Sequence, residues 1–372
     1  MLSLLSGGFA LPADGEQEAN HITDFEKVCD FESLYRAHAK ARLGKRHKPD
    51  VIAFEMDLAN NLWAIKRRME NKTYRIGGYH HFTIYEPKQR EIQALCYADR
   101  IVQHSLCDNV LTPFFERRLI YDNCACRVGK GTHFGMNRLA GFMREHYRQH
   151  GAEGWILKAD IRKYFSSINH DVLLARLRKV IPDPDVMVLL EMIVRSYNGD
   201  TGSGIPMGNQ TSQLFALYYL DPMDRLIKEK LRIKHYTRYM DDMVLLCPSK
   251  EHLRKCLRYM REMCENELML ELNEKTDILP IRHGVDYLGW HFYLTDSGKV
   301  IKRLRTQNKR KLKRRLKGLQ KGYAEGRLEV EDIKRSMAAT NGHLMHGDTW
   351  KLKEKLYGKT VYVKQSEEEK QG

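Results

Sequence analysis

The chain has 372 residues, 42% of them hydrophobic and 30% charged, with a formal net charge of +15. That is the composition of a soluble globular protein long enough for two or three domains, and no apolar run reaches the ~20 residues that span a bilayer. The positive excess points to a polyanionic partner, nucleic acid ahead of an anionic membrane surface, although charge that only keeps a protein soluble has the same signature. The cysteines at 29, 96, 107, 124, 126, 247, 256 and 264 show no paired CxxC spacing. Cys124-Ala125-Cys126 fits buried thiols better than zinc ligands, so a reducing, cytoplasmic setting is expected.

Residues 1–24 carry little periodicity, and the start lacks the basic segment of a signal peptide, so a flexible arm is expected there. Helical spacing runs over 24–42. Residues 44–49, Gly-Lys-Arg-His-Lys-Pro, form a basic break that suits a phosphate contact or an exposed loop equally well. Residues 51–71 return to helix with Phe54, Leu58, Leu62 and Ile65 on one face. Residues 82–95 read as a hairpin turning at Pro87-Lys88-Gln89-Arg90. Lys88 and Arg90, two apart, project to one side. Two such cations can clamp a triphosphate, although taken alone the tip is an ordinary solvated turn. A helix over 99–115 leads into a Gly- and Lys/Arg-bearing loop, 121–133, with Arg127 and Lys130, and then a helix over 134–149.

Residues 155–160, Trp-Ile-Leu-Lys-Ala-Asp, read as a strand ending in a carboxylate, and Asn169 is placed to cap a helix over 171–181. An acidic, Pro-containing turn precedes a second helix over 186–197. Residues 204–213, Gly-Ile-Pro-Met-Gly-Asn-Gln-Thr-Ser-Gln, form a glycine-bracketed loop that opens a helix over 214–231. Such a loop lets a backbone approach a ligand closely and offers unpaired N–H groups to an anion. Residues 235–246 then read as two short strands with Asp241-Asp242 at the tip. Carboxylates are costly to bury without a counter-charge, so a pair held by apolar strands points to a divalent metal, although Asp-Asp is also a common turn dipeptide.

After an amphipathic helix over 251–268, residues 270–278 read as a strand or turn carrying Lys275, and 285–294 as a strand ended by a turn at 295–298. Lys and Arg make up about half of residues 299–321, with Leu312, Leu316 and Leu319 as an apolar stripe. This reads as a basic helix whose density of like charge favours a phosphate backbone over a merely solvated face. Two further helices, 329–344 and 349–356, precede a polar tail.

Asp160, Asp241 and Asp242 all lie at predicted strand ends, and neighbouring strands of one sheet would bring them together. Three carboxylates and a nucleotide's phosphates can hold two Mg²⁺ ions about 3.5–4 Å apart, with Mn²⁺ as a substitute, and activate a hydroxyl for phosphoryl transfer. With a triphosphate clamp upstream, a Gly-rich loop between the carboxylates and a basic helix downstream, the order points to a template-directed nucleotide polymerase.

On these residues the chain resembles the reverse transcriptases: Tyr239-Met240-Asp241-Asp242 is similar to their YxDD box, and the other blocks follow in that family's order. The resemblance implies an α/β (α+β) right-hand fold. Its parts would be a flexible arm (1–24), fingers with the start of the palm (25–150), a palm of antiparallel sheet and helices (151–295), a helical basic thumb (296–358) and a polar tail (359–372). It implies that Asp160, with the Ile161 carbonyl beside it, Asp241 and Asp242 bind metal, and that Lys275 acts as a general acid toward pyrophosphate. Phe165 would be the steric gate that selects deoxynucleotides. Lys88 and Arg90 would contact the triphosphate, and Met207, Gly208 and Gln213 would line the nucleotide. Tyr287, Leu288, Gly289 and Trp290 would form a primer grip. Arg127, Lys130, Lys309, Arg310, Lys313 and Arg314 would bind nucleic acid.

Within that family the chain is similar to the enzymes of diversity-generating retroelements, in which an aliphatic residue and Ser-Gln replace the usual Gln and Ser-Pro of the Gly-rich loop. Here the loop reads Met207-Gly208-Asn209-Gln210-Thr211-Ser212-Gln213. Tyr85-Glu86-Pro87-Lys88, residues 102–107, Ala125-Cys126-Arg127, residues 130–133, Gly342-His343 and Asp348-Thr349 carry the same similarity. It implies a bacterial or phage-encoded enzyme, a structured template RNA, a DNA or RNA primer, a small helical accessory protein, and miscopying of template adenines; no membrane partner is expected, since no apolar run is long enough to span a bilayer. Gln in place of Met207 would offer a hydrogen bond near the incoming nucleotide, whereas Met packs without one. No HNH-like or Cys/His segment follows the basic helix, which argues against a complete group II intron protein, and no Val-Thr-Gly triplet of retron type is present. A defence-associated reverse transcriptase and a catalytically silent nucleic-acid scaffold stay open as rivals.

Overall fold

The computed structural model describes residues 22–85, 89–197 and 201–364. The N-terminal block is helical: α1 (Asp24–Cys29), α2 (Phe31–Ala41), α3 (Pro49–Glu55) and α4 (Leu58–Glu70). Two expected long helices are each broken. Asp30 ends α1 in an extended conformation and caps α2, its carboxylate accepting from Ser33 N at 3.1 Å. Asp57 leaves the helical region (φ −136, ψ 52) between α3 and α4. Apolar periodicity continues through both breaks because the buried residues of all four helices join one core.

The strands β1 (Tyr79–Ile84) and β2 (Arg90–Leu95) pair antiparallel as the expected hairpin. From α5 (Tyr97–Leu106) the chain passes through a π turn at Cys107–Leu111 into α6 (Thr112–Glu116), then to α7 (Thr132–His150). The centre of the molecule is the antiparallel sheet β4-β5-β3-β6, made of β3 (Trp155–Ala159), β4 (His235–Tyr239), β5 (Asp242–Cys247) and β6 (Asp277–Pro280). Between β3 and β4 come α8 (Tyr164–Ser167), α9 (His170–Arg178), α10 (Pro184–Arg195), α11 (Gln210–Tyr219), α12 (Asp221–Arg225) and a π turn at Leu226–Lys230; α13 (Lys250–Asn266) joins β5 to β6. Asn169 caps α9 as expected, accepting from Val172 N at 3.0 Å.

Strand alternation sends the side chains of this sheet into two cores. Leu157, Ala159, Tyr236, Met243 and Leu245 pack against the helices on one face. Ile156, Val244 and Leu246 pack on the other face with α7 and a second sheet. That second sheet is β7 (Val285–Tyr287), β8 (Trp290–Leu294) and β9 (Val300–Leu304), followed by α14 (Thr306–Ala324), α15 (Val330–Leu344) and α16 (Trp350–Tyr357). Two expectations are corrected here. Residues 285–294 are two strands, not one, because Leu288 (φ 48) and Gly289 (φ 88) turn the chain back. Residues 300–304 are a strand and not the start of the basic helix: β9 buries Val300 and Leu304 at its two ends, leaves Lys302 half-buried and Arg303 exposed between them, and pairs with β8. The mixed α/β class is the one expected.

Candidate active site

β3 ends at Ala159, so Asp160 leaves the sheet next to the turn that joins β4 to β5. Tyr239 pairs with Asp242, which leaves Met240 and Asp241 as the two turn residues. Asp241 shares a hydrogen bond with Asp160. Its carboxyl is held up at about 6, first by burial and then by the charge of Asp160. Two carboxyls this close share charge poorly without a cation. An all-oxygen donor set of this kind fits Mg²⁺ or Mn²⁺ rather than a softer ion. Asp160 is further fixed by residues 271–273, which run beside it: Asn273 N donates to Asp160 O at 2.7 Å, and Asn273 Nδ2 lies 3.4 Å from Asp160 Oδ2.

Among the described residues, no three metal-ligating side chains converge on one point. Asp160 and Asp241 meet, while Asp242 contacts the ammonium of Lys158, which lies on β3 two residues before Asp160. Burial pulls Lys158 down to about 7, against the opposing pull of Asp160 and Asp241, and its Nζ stands 5.1 Å from the ring centre of Tyr287. Sequence reasoning missed Lys158 and Asn273. The signal for Lys158 was a cation in an otherwise apolar strand.

The turn is held from beneath by Arg238, which is fully buried. Its Nη1 donates to Met240 O at 2.8 Å, and its other nitrogens engage Asp224 and Leu217 O. Tyr236 also donates to Asp224, at 2.6 Å.

The glycine-bracketed loop reaches the same region. Residues 202–205 run antiparallel to 165–170: Ile205 N donates to Phe165 O at 2.9 Å and Gly204 N to Ile168 O at 2.8 Å. Phe165 is therefore beside the loop that carries half-buried Met207. Gly208 has φ 110, and a Cβ there would stand 3.3 Å from Ile92 of β2, so loop and hairpin touch. α11 begins at Gln210, earlier than expected, and Gln213 is exposed on it. Thr211 donates to Gln103 of α5 at 2.9 Å, a buried bond that ties the loop down. Arg90 is exposed at the start of β2, whereas Lys88 lies outside the described residues.

Several expected contacts need correction. Tyr287 and Trp290 are 1% and 0% exposed, with side chains in the second core, so only the turn residues Leu288 and Gly289 of that quartet are part-exposed. Arg127 does not face outward; it forks onto Glu116 (2.6–2.9 Å) and bonds Ile120 O at 2.7 Å, bracing its own loop. Lys130 donates to Tyr121 O at 2.6 Å and stands 4.5 Å from that ring. Lys275 is exposed in the turn before β6, two residues from Asn273. Arg310, Lys313 and Arg314 are exposed on α14 and Lys309 partly so, opposite buried Leu312 and Leu316.

The reverse transcriptase (RNA-dependent DNA polymerase) family model matches residues 82–292. Protein YkfC of Escherichia coli is 22% identical over 249 residues, 55% of this chain and 65% of its own length. A COX1/OXI3 intron 2 protein of Saccharomyces cerevisiae is 26% identical over 132 residues, 33% of this chain and 15% of its own length. The chain thus spans less than two thirds of either relative. Telomerase from Candida albicans, solved in complex with a TWJ fragment of telomeric RNA, is 12% identical and aligns over 68% of this chain and 50% of its own with a TM-score of 0.47. Apo telomerase from Candida tropicalis, also 12% identical, aligns over 60% and 55% with a TM-score of 0.46. The family match covers more than half of the chain and spans β1 to β8, the carboxylate turn included, so the chain belongs to the reverse transcriptase (RNA-dependent DNA polymerase) family.

Proposed function

We propose that this chain is an RNA-directed DNA polymerase whose reaction centre is the cluster Asp160, Asp241 and Asp242. The supporting observation is the contact of Asp160 with Asp241 at one end of the central sheet, with the Asp241 carboxyl held near 6 by burial and then by the charge of its neighbour. Asp160, the Ile161 carbonyl, Asp241 and, once turned from Lys158, Asp242 would hold the metal. Two bound Mg²⁺ ions would supply the Lewis acidity that activates the primer hydroxyl and steadies the departing pyrophosphate.

The chain's own residues do the rest. Phe165, beside the 204–208 loop, narrows the space for a ribose and selects dNTPs. Met207, Gly208 and Gln213 line the nucleotide, and Arg90, at the start of β2, and Lys88 contact its triphosphate. Lys275, exposed two residues after the Asn273 that bonds Asp160, donates a proton to the leaving pyrophosphate. Leu288 and Gly289 steady the primer end, and Lys309, Arg310, Lys313 and Arg314 of α14 follow the phosphate backbone. In this reading residues 25–150, 151–295 and 296–358 are fingers, palm and thumb, although β9 pairs with β8 across the palm–thumb boundary.

The subclass we propose is the diversity-generating retroelement enzyme, copying a structured RNA with frequent errors at adenines and working with a small helical accessory protein. The support is Met207 at the position where most of the family carries Gln. The test is to copurify the protein with RNA from its own locus, supply dNTPs and Mg²⁺, and sequence the cDNA. Substitutions concentrated opposite template adenines are expected. Faithful or untemplated repetitive cDNA would overturn the subclass in favour of a defence enzyme.

A further inference from the structure

Among the described residues, one charge pair is fully enclosed: Arg238 of β4 and Asp224 of α12, both side chains 0% exposed. Arg238 Nε donates to Asp224 Oδ1 at 2.7 Å and Nη2 to Oδ2 at 2.5 Å. The hydroxyl of Tyr236 fixes the same carboxylate from the side, at 2.6 Å. The guanidinium still has donors to place, and two go to backbone carbonyls: Leu217 O of α11 at 3.0 Å and Met240 O at 2.8 Å.

A buried ion pair is a weak source of net stability, because desolvation offsets most of the attraction and a well-packed apolar pair often does as well. An apolar pair cannot bond a carbonyl inside a turn. Met240 is a non-glycine residue at φ 55, a backbone state that persists only where its surroundings hold it. It directly precedes Asp241. The fold of β4 does not depend on the guanidinium, since the backbone of Arg238 is paired on both sides. It faces β5 in register, and on the other edge its N donates to Asp122 O at 3.0 Å while its O accepts from Cys124 N at 2.8 Å.

We propose that Arg238, held by Asp224 and Tyr236, is a positioning residue that fixes the Met240 carbonyl and so sets the Asp241 carboxylate against Asp160. The same guanidinium also bonds α11, the helix opened by the 204–209 loop. It therefore locks the carboxylate turn and the nucleotide loop into one frame.

The inference rests on the polymerase reading, and its test keeps the two apart. Arg238→Lys keeps a charge opposite Asp224, but a single ammonium cannot fork to the two carbonyls as well. Full-length protein would be assayed for primer extension on an RNA template, for thermal unfolding, and for amide exchange over residues 239–243. Misplacing a reacting group by about 1 Å costs on the order of 100-fold. Arg238→Lys is therefore expected to lose about 10–100-fold in kcat, with KM for dNTP within about 3-fold and unfolding near wild type. Exchange in the turn is expected to rise about 10-fold once its holding bond is gone. The pair Arg238→Met with Asp224→Leu, which leaves no unpaired buried charge, is expected to fold and show the same two changes. A kcat within about 3-fold of wild type in either folded variant, or unchanged exchange in Arg238→Lys, would overturn the proposal. Should the wild type itself extend no primer, the polymerase reading fails and the exchange measurement alone decides the role of Arg238.

Discussion

Asp241 carries a conflict between stability and chemistry in a single carboxyl. Its folded value of about 6 lies above the ordinary carboxylate value, so the native state binds the proton more tightly than the unfolded chain does. Below about pH 4 the side chain is neutral in both states and costs nothing. As pH rises through 6 the native state must carry a poorly solvated charge beside Asp160, and stability falls. At about 1.4 kcal/mol per pKa unit, and allowing for partial solvation, Asp241→Asn should stabilise the metal-free protein by about 1–3 kcal/mol at pH 8. That gain should shrink as the pH is lowered through 6. Thermal melts in chelator from pH 4.5 to 8 check this, and the same variant should show no primer extension. At Met207, Gln would restore a hydrogen-bonding side chain beside the incoming nucleotide. Met207→Gln should therefore lower misincorporation opposite template adenines, by about 10-fold if one hydrogen bond of about 1.4 kcal/mol is regained. Sequencing of cDNA from both forms checks it, and unchanged error spectra would count against this role.

Among the elements, the hairpin at 79–95, the Asn169 cap and the carboxylate turn are visible in the sequence because each depends on neighbours within a few residues. What was hidden depends on distant partners. The pairing of β9 with β8 turns residues 300–304 into a strand despite their cations. Val300 and Leu304 on one side were the available signal. Gly289 was likewise the mark of the turn that splits residues 285–294. Arg238 and Asp224 could not be paired by spacing, although Arg238 shares the buried face of β4 with Tyr236, and a charge on such a face demands a partner. Arg127, expected to bind nucleic acid, is claimed instead by Glu116, eleven residues earlier, a pairing that spacing alone does not reveal.

The C-terminal helices dock through Gly347 between α15 and α16, where a Cβ would drive into the buried ring of Trp290. Gly347→Ala should cost on the order of 2 kcal/mol, since neither the ring nor the turn has room to give. Denaturant melts measure it. On α14 the apolar stripe faces inward and Lys309, Arg310, Lys313 and Arg314 do not share it. Changing these four to Gln should weaken primer–template binding uniformly across sequences. It should also reduce the slope of log affinity against log salt by about 3, at about 0.7–0.9 for each phosphate no longer neutralised. Thermal stability should hardly change.

At the scale of the whole molecule, the net charge of +15, two cores on either side of one sheet, and the Asp160–Asp241 contact at that sheet's end belong to one account. The sheet brings Asp160 and Asp241, far apart in sequence, into contact. No helix among the described residues is long and apolar enough to cross a membrane. The central claim is DNA synthesis on an RNA template at the carboxylate turn. The most direct test extends a labelled DNA primer annealed to an RNA template, with dNTPs and Mg²⁺, using wild type and Asp241→Asn side by side after both are shown to be folded. Template-length DNA is expected from the wild type, abolished by chelator, with a loss of at least about 1,000-fold in Asp241→Asn, as follows when a group that binds the reacting metal is removed. Extension that survives Asp241→Asn, or a folded wild type that makes no DNA with any primer, would contradict the central claim.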